Sequence, residues 1–233
     1  MEAVLLGLLG LAVGAALSPL VAALAAWPQG ETPDAPPTPP PARQGEAGFA
    51  RPLALALERP WQAVLLALTT GGVFAAAALR YDEAGETTIV LAYAAAFLVC
   101  AATDLLSFRV PNAVTYPGIA GALAAMIFMP DGQADSALVG GAVAGGLFLA
   151  LGIVSRGGIG LGDVKLAAFA GLALGWPIVF SALLIAALAG GVVSGLALLL
   201  RLRGRRDPLP YAPFIAVAAV AVMLWQGTAF HEL

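Results

Sequence analysis

The chain has 233 residues, of which 61% are hydrophobic and only 11% charged, and its mean hydropathy is +0.92. Soluble domains do not have this composition, so the chain is predicted to be a polytopic integral membrane protein folded as one all-α helix bundle. Continuous apolar runs argue against a β-barrel, a net charge of −3 without a basic patch gives no sign of nucleic-acid binding, and one cysteine with one histidine leaves little for a metal site.

The first 60 residues are an apolar segment followed by a proline-rich linker. Residues 1–26 carry one charge, Glu2, and are predicted to form the first transmembrane helix. A signal peptide is the alternative, because Ala-Leu-Ala near Ala25 resembles a cleavage site, but the apolar run is long and has no basic start. Residues 27–60 contain a proline run at 36–41 and are predicted to be an extended linker.

Seven further apolar stretches follow, separated by charged or turn-forming residues. The uncharged run 166–200 is too long for one span and short for two, so Gly175-Trp176-Pro177 is predicted to divide it. Small residues such as Gly140 and Gly145 are predicted to let helices approach closely. The total is about eight transmembrane helices, the last seven at residues 61–79, 87–106, 113–129, 136–154, 164–175, 178–200 and 211–226.

The basic residues are distributed unevenly between the two ends of these helices. Ten of the eleven lysines and arginines fall in the first, third, fifth and seventh connections, and only Arg80 falls at the other end. Positively charged connections remain in the cytoplasm, so both termini are predicted to lie outside and the linker inside. Merging the sixth and seventh spans would move the arginine cluster at 201–206 to the wrong side, which favours eight spans.

Two carboxylates lie at the ends of predicted spans, Asp104 in the third and Asp163 at the sixth. An ionisable residue at the edge of lipid is costly and is therefore a functional candidate. The predicted topology places both at the cytoplasmic end, although 59 residues separate them. Two neighbouring carboxylates in a low-dielectric site share a proton, so the pair can deprotonate a water and protonate a leaving nitrogen. This is aspartic-protease chemistry.

Four glycines, at 157, 158, 160 and 162, precede Asp163, and Lys165 follows it. Gly160 and Gly162 are predicted to permit a close backbone approach, which would suit an extended substrate lying against this loop. Asp163 is predicted to begin the sixth helix, whose positive end favours an ionised carboxylate.

The residues around both aspartates resemble those of a known family. Gly160-Leu161-Gly162-Asp163-Val164-Lys165 matches the G-x-G-D-x-K signature of type IV prepilin peptidases, the bacterial branch of the intramembrane G-x-G-D aspartyl proteases. Asp104 with the downstream Arg109-Val110-Pro111-Asn112 resembles the family's first aspartate and prolyl turn, and proline also suits the opening of a helix. The resemblance covers about residues 58–225 and identifies 61–233 as a membrane protease domain.

This resemblance implies an aspartyl endopeptidase of the bacterial inner membrane, with Asp104 and Asp163 as the catalytic dyad at the cytoplasmic face. The substrates that it implies are type IV prepilin-like or pseudopilin precursors, which are cut between a short basic leader and an apolar helix. Supporting or substrate-contacting residues at the matching positions are Gly160, Gly162, Lys165, Pro111 and Asn112.

The chain departs from the family in its first third. Bifunctional members N-methylate the new terminus with S-adenosylmethionine and carry a first cytoplasmic loop with paired zinc-binding cysteines. Residues 27–60 contain no cysteine, so zinc binding is not expected and methylation loses one of its supports. Proteolysis is expected to need neither cofactor.

Simpler roles are open to the same residues. Asp163 could only cap its helix, Asp104 could only end one near the headgroups, and Lys165 could be a membrane-edge anchor. Asn112 is predicted to cap the fourth helix, and the alternative is that it orients the loop before that helix. For the whole protein, the alternative is a proton- or cation-coupled transporter with buried aspartates, but such sites favour the bilayer midplane and internal repeats. A non-catalytic scaffold would not need both motifs intact.

Overall fold

The structure, a computed structural model, is all-helical over the residues that it describes. These are residues 2–26, 60–128, 133–155, 159–201 and 209–229. Three features of the sequence lie wholly or partly outside these ranges: most of the proline-rich linker, two of the four glycines before Asp163, and most of the arginine cluster. The helices are α1 (Glu2–Ala25), α2 (Pro60–Arg80), α3 (Ala84–Ser107), α4 (Asn112–Ala125), α5 (Gln133–Val154), α6 (Leu161–Leu174), α7 (Ile178–Leu199) and α8 (Ala212–Gln226), with a 3₁₀ turn at Met126–Phe128.

Each predicted span is confirmed as a helix in the predicted order, with ends within a few residues. Five helices of the described residues, α1, α2, α3, α5 and α7, are long and apolar enough to cross a membrane. The other three have 14 or 15 residues, fewer than the roughly 20 of a full crossing. Two of these, α6 and α8, are mostly buried against other helices, so they need not reach both faces of the bilayer.

The core is built around α6, which packs against α4, α5, α7 and α8. Its Phe169 is fully buried, stacked on Phe97 of α3 at 4.6 Å between ring centres and edge-on to Tyr93 at 5.3 Å. These pairs join α6 to α3 and supply a large apolar contact at aromatic geometry. The helix that carries Asp163 is therefore anchored, two turns further on, to the helix that carries Asp104.

Glycines let α5 and α6 approach each other backbone to backbone. A Cβ added at Gly140 would come within 2.5 Å of the Gly171 carbonyl oxygen, and one at Gly141 within 2.8 Å of the Leu172 side chain. This confirms the close approach predicted for the fifth span. The predicted break is also confirmed: Gly175 has a φ of 72°, and the Trp176 N–H donates to the Ser136 carbonyl at 2.9 Å.

The α1–α2 hairpin packs on α3 beside this core. Gly10 and Gly14 of α1 lie against the backbone of Gly71 and Ala67 of α2 so closely that a Cβ at Gly14 would be 2.6 Å from the Ala67 Cα. An apolar groove of about 530 Å³ opens between the hairpin and α3.

Candidate active site

Three connections between helices meet at one end of the molecule: α3 to α4, α5 to α6 and α7 to α8. They are adjacent because helices that run alternately up and down bring every second connection to the same end. Contacts of Gly162 with Val110, and of Ala212 with Asp104, join all three. Chemistry-bearing residues that are distant along the chain are therefore concentrated at this end.

Asp104 lies in the last turn of α3 and is 5% exposed. The helix ends directly after it because Phe108 adopts a left-handed conformation (φ 54°, ψ 40°) and donates its N–H to the Asp104 carbonyl at 2.8 Å. The Asp104 side chain accepts a hydrogen bond at Oδ2 from the backbone N–H of Ala212, 3.1 Å away. Ala212 opens α8, so the positive end of that helix faces a buried carboxylate.

Asp163 is the third residue of α6, and the prediction that it begins the helix is wrong, because the helix starts at Leu161. Its Oδ2 accepts the N–H of Gly160, the N-cap residue, at 3.3 Å. Since glycine has no side chain to return the bond, this is one half of a capping box. The simple capping role is therefore real, and it leaves the second carboxylate oxygen for other partners.

The two carboxylates lie close enough to interact electrostatically. Tyr211, the residue before α8, also interacts with Asp163, and its ring packs between Phe148 and Phe214. The structure thus brings together the two residues predicted as a dyad and adds a third segment to them.

The sequence motifs do not identify Tyr211 and Ala212, which interact with Asp163 and Asp104 in the structure. The local sequence signal for these residues is Pro213. Proline is common in the first turn of a helix, so it indicates where a helix begins and where its free N–H groups lie. Nothing local says that those N–H groups meet Asp104, 108 residues away.

The two glycines of the motif have different surroundings. A Cβ at Gly162 would lie 2.9 Å from the Cβ of Val110, whereas one at Gly160 would make only ordinary contact, 3.6 Å from Oδ2 of Asp163. Gly160 is extended (φ −74°, ψ 150°) and Gly162 is helical, so neither needs a left-handed conformation. The close approach predicted for this stretch occurs at Gly162. The neighbouring group there is Val110, in the turn before α4 of the same chain, and not a substrate.

The prolyl turn holds the start of α4 as predicted. Pro111 is the N-cap residue (φ −72°, ψ 126°), and its carbonyl accepts the N–H groups of Val114 and Thr115, each at 3.1 Å. The prediction that Asn112 caps this helix is wrong, because its side-chain oxygen accepts a hydrogen bond from Lys165 instead. Lys165, left without a firm role by the sequence, also lies 4.9 Å from the centre of the Tyr116 ring.

Comparison with known proteins agrees with this geometry. The sequence model of the type IV leader peptidase family matches residues 91–195, which contain Asp104, Asp163 and the turns beside them. We call residues 91–195 the leader peptidase segment. This segment includes most of α3, all of α4 to α6 and most of α7. The comparisons do not support the transporter alternative.

Similar proteins extend the match beyond the leader peptidase segment. A prepilin leader peptidase/N-methyltransferase of Bacillus subtilis is 32% identical over 159 residues, covering 68% of this chain and 64% of that protein. One of Burkholderia pseudomallei is 35% identical over 176 residues, covering 72% of this chain and 56% of the relative. The chain thus spans about three fifths of the length of these relatives. No solved structure matches it.

Proposed function

We propose that this protein is an intramembrane aspartyl endopeptidase that cleaves the leader peptide of type IV prepilin-like or pseudopilin precursors, with Asp104 and Asp163 as its catalytic dyad. The observation that carries the proposal is the meeting of these two carboxylates at one end of the bundle. They are 59 residues apart in sequence, come from two different helices, and lie within a segment that matches a leader peptidase family.

The dyad mechanism follows from the arrangement of hydrogen bonds. Within the described residues, both carboxylates accept their hydrogen bonds at Oδ2, which leaves each Oδ1 for a water or a substrate. One carboxylate takes a proton from the water while the water oxygen attacks the scissile carbonyl carbon. The other, carrying the shared proton, donates it to the leaving nitrogen as the C–N bond breaks. After cleavage the dyad again holds one proton, which came from the water and now lies on the carboxylate that acted as the base. The new carboxyl group releases its proton to solvent, and the new amine takes one up.

The distribution of basic residues supports cleavage at the cytoplasmic face of the membrane. The three connections around the dyad are the third, fifth and seventh of the chain, which hold Arg109, Arg156 and the arginine cluster at 201–206. Basic connections remain in the cytoplasm, so the termini lie outside. A basic leader followed by an apolar helix would present its cleavage site at this depth.

Methyl transfer is a separate question from proteolysis. The printed names of the relatives include N-methyltransferase, and that activity uses S-adenosylmethionine. The chain has only Cys100, so the paired cysteines of a zinc-binding loop are missing. We therefore propose a peptidase that cleaves without metal or cofactor. Mass spectrometry of the product terminus, with S-adenosylmethionine present, would reveal any methyl group.

The first experiment measures cleavage of a prepilin-type substrate by the purified full chain and by Asp104→Asn and Asp163→Asn. Each substitution keeps the size of the side chain and removes its ability to exchange a proton, so cleavage should be lost in both. Asp135→Asn is the matched control, because Asp135 is an exposed carboxylate in the first turn of α5, at the opposite end of the bundle.

The control should cleave at the rate of the unmodified chain. Full cleavage by either folded dyad variant would refute the mechanism, and equal loss in the control would show that the assay reports folding and not chemistry.

A further inference from the structure

Lys165 and Asn112 hold each other across the boundary between α6 and α4. The Lys165 ammonium donates a hydrogen bond to the side-chain oxygen of Asn112 and lies 4.9 Å from the centre of the Tyr116 ring. Asn112 and Tyr116 are one turn apart on α4 and so share a face. A cation on one helix is therefore held by an amide and an aromatic ring on its neighbour.

These three residues stand beside the dyad without pointing into it. Lys165 follows Asp163 by two residues on α6, and residues two apart on a helix face in nearly opposite directions. Asp163 interacts with Asp104 of α3, whereas Lys165 reaches back to the start of α4. The lysine is therefore well placed to resist rotation of α6 about its own axis.

A second contact lies on the same boundary. Gly162 packs against Val110, the residue two before Asn112, so the first turn of α6 touches α4 and its preceding turn at two points. Close packing at Gly162 sets how near the segments come, and the Lys165 contact sets the rotation. Both determine where the Asp163 carboxylate stands relative to Asp104.

We propose that Lys165, Asn112 and Tyr116 form a positioning clamp that holds Asp163 in register with Asp104, with Lys165 and Asn112 as its central pair. This inference rests on the proposed dyad mechanism. It assigns Lys165 a role different from two simpler ones: a membrane-edge anchor would need only a positive charge and not Asn112, and a substrate contact would act mainly through KM.

The test measures kcat and KM of the full chain with a prepilin-type substrate for Lys165→Met, Asn112→Leu and the double variant. Misplaced catalytic groups react slowly even when substrate binds normally, so each single variant should lower kcat about tenfold and leave KM within about twofold. The double variant should be no slower than the slower single one, because both substitutions break the same hydrogen bond.

Three further variants sharpen the result. Lys165→Arg should recover most of the rate, because a guanidinium can donate to the amide and lie over the Tyr116 ring. Tyr116→Leu should cost only about two- to threefold in kcat, as expected for loss of an exposed cation–π contact. Arg201→Met is the matched control, since Arg201 is an exposed cation whose side chain makes no hydrogen bond or ion pair with the described residues.

Any of three results would overturn the clamp. These are losses that add in the double variant, a change confined to KM, and an Asn112→Leu variant with the full rate. Asn112 is exposed, so its replacement is expected to fold, and the melting temperature checks this. The clamp proposal and the dyad proposal can be refuted independently of each other. If Asp104→Asn and Asp163→Asn abolish cleavage while the clamp variants give additive losses, only the clamp is wrong.

Discussion

Glycines bring helices together in both the α1–α2 hairpin and the α3–α8 bundle, but the bundle also contains a large core of buried aromatic and aliphatic side chains. In the hairpin, glycines bring the two backbones together, and only 22% of the most apolar stretch of each helix is buried. In the bundle, half of the most apolar stretch of α3 is buried, against 28% for α5 and 22% for α7, and large side chains such as Phe97 and Phe169 fill the interior. The hairpin therefore turns most of its surface to lipid, whereas the bundle has a core of its own.

Function follows the same division. Both aspartates, the prolyl turn and the clamp lie in the bundle, and the leader peptidase segment begins at residue 91, within α3. The departure from the family, a linker without cysteines, lies between α1 and α2. Substitutions in the bundle should therefore change cleavage, and those in the hairpin should change stability. Five predictions test that contrast, in decreasing order of expected effect.

The largest effect is expected from removing the dyad. Asp104→Asn and Asp163→Asn should each lower kcat about 10³-fold, and the double variant should be no slower than the slower single one, because the two groups act as a unit. Single-turnover cleavage of a prepilin-type substrate measures this. Independent, multiplying losses would mean that the two carboxylates serve separate steps.

Gly162→Val should lower kcat by roughly 10- to 100-fold, because a side chain there collides with Val110 and displaces the first turn of α6, and small displacements of reacting groups are costly. Gly146→Val is the control, since a Cβ at Gly146 of α5 would have nothing within 4 Å. Steady-state kinetics at matched folded fractions compares the two. Equal rates for both variants would remove Gly162 from the argument.

Gly14→Val in the hairpin should destabilise the protein by about 2 kcal/mol, since its side chain would meet the α2 backbone, which cannot move aside locally. The rate per folded molecule should stay the same. Thermal unfolding in detergent measures the first effect and active-site-normalised cleavage the second, with Gly72→Ala as the control because its Cβ has nothing within 4 Å. A fall in kcat would show that the hairpin takes part in catalysis.

Tyr81→Phe should cost about 1 kcal/mol of stability, the usual net value of one hydrogen bond. The Tyr81 hydroxyl donates to the Met223 carbonyl and ties the α2–α3 connection to α8, at the end of the bundle away from the dyad. Thermal unfolding should therefore shift while cleavage does not. Thr88→Val is the control, because among the described residues that exposed hydroxyl bonds only to its own helix, at the Ala84 carbonyl.

The smallest effect is expected from metal removal. Incubation with a chelator should change kcat by less than about twofold, because the proposed chemistry uses two carboxylates and a water. Activity that disappears with chelation and returns with added zinc would contradict a cofactor-free dyad and would reopen the role of the linker.

Much of this architecture could be predicted from the sequence. Apolar length, together with proline and glycine punctuation, is local information, so it predicts the eight helices of the described residues to within a few residues of their observed ends. The alternation of charged connections brought Asp104 and Asp163 to the same end before any contact was known. The errors concern single turns: the start of α6 at Leu161, and the side chain of Asn112, which meets Lys165 and does not cap its helix.

What the sequence by itself determined is thus the number and order of helices and the two carboxylates that a bilayer makes costly. Only the tertiary structure decided that the Ala212 N–H meets Asp104, that Gly162 lies on Val110, and that Lys165 turns away from the dyad. The physical reason is that membrane helices are apolar on nearly every side, so their sequences carry little periodic signal for the face that is buried. Rotation about each helix axis is settled by packing between distant segments, and that rotation places the reacting groups.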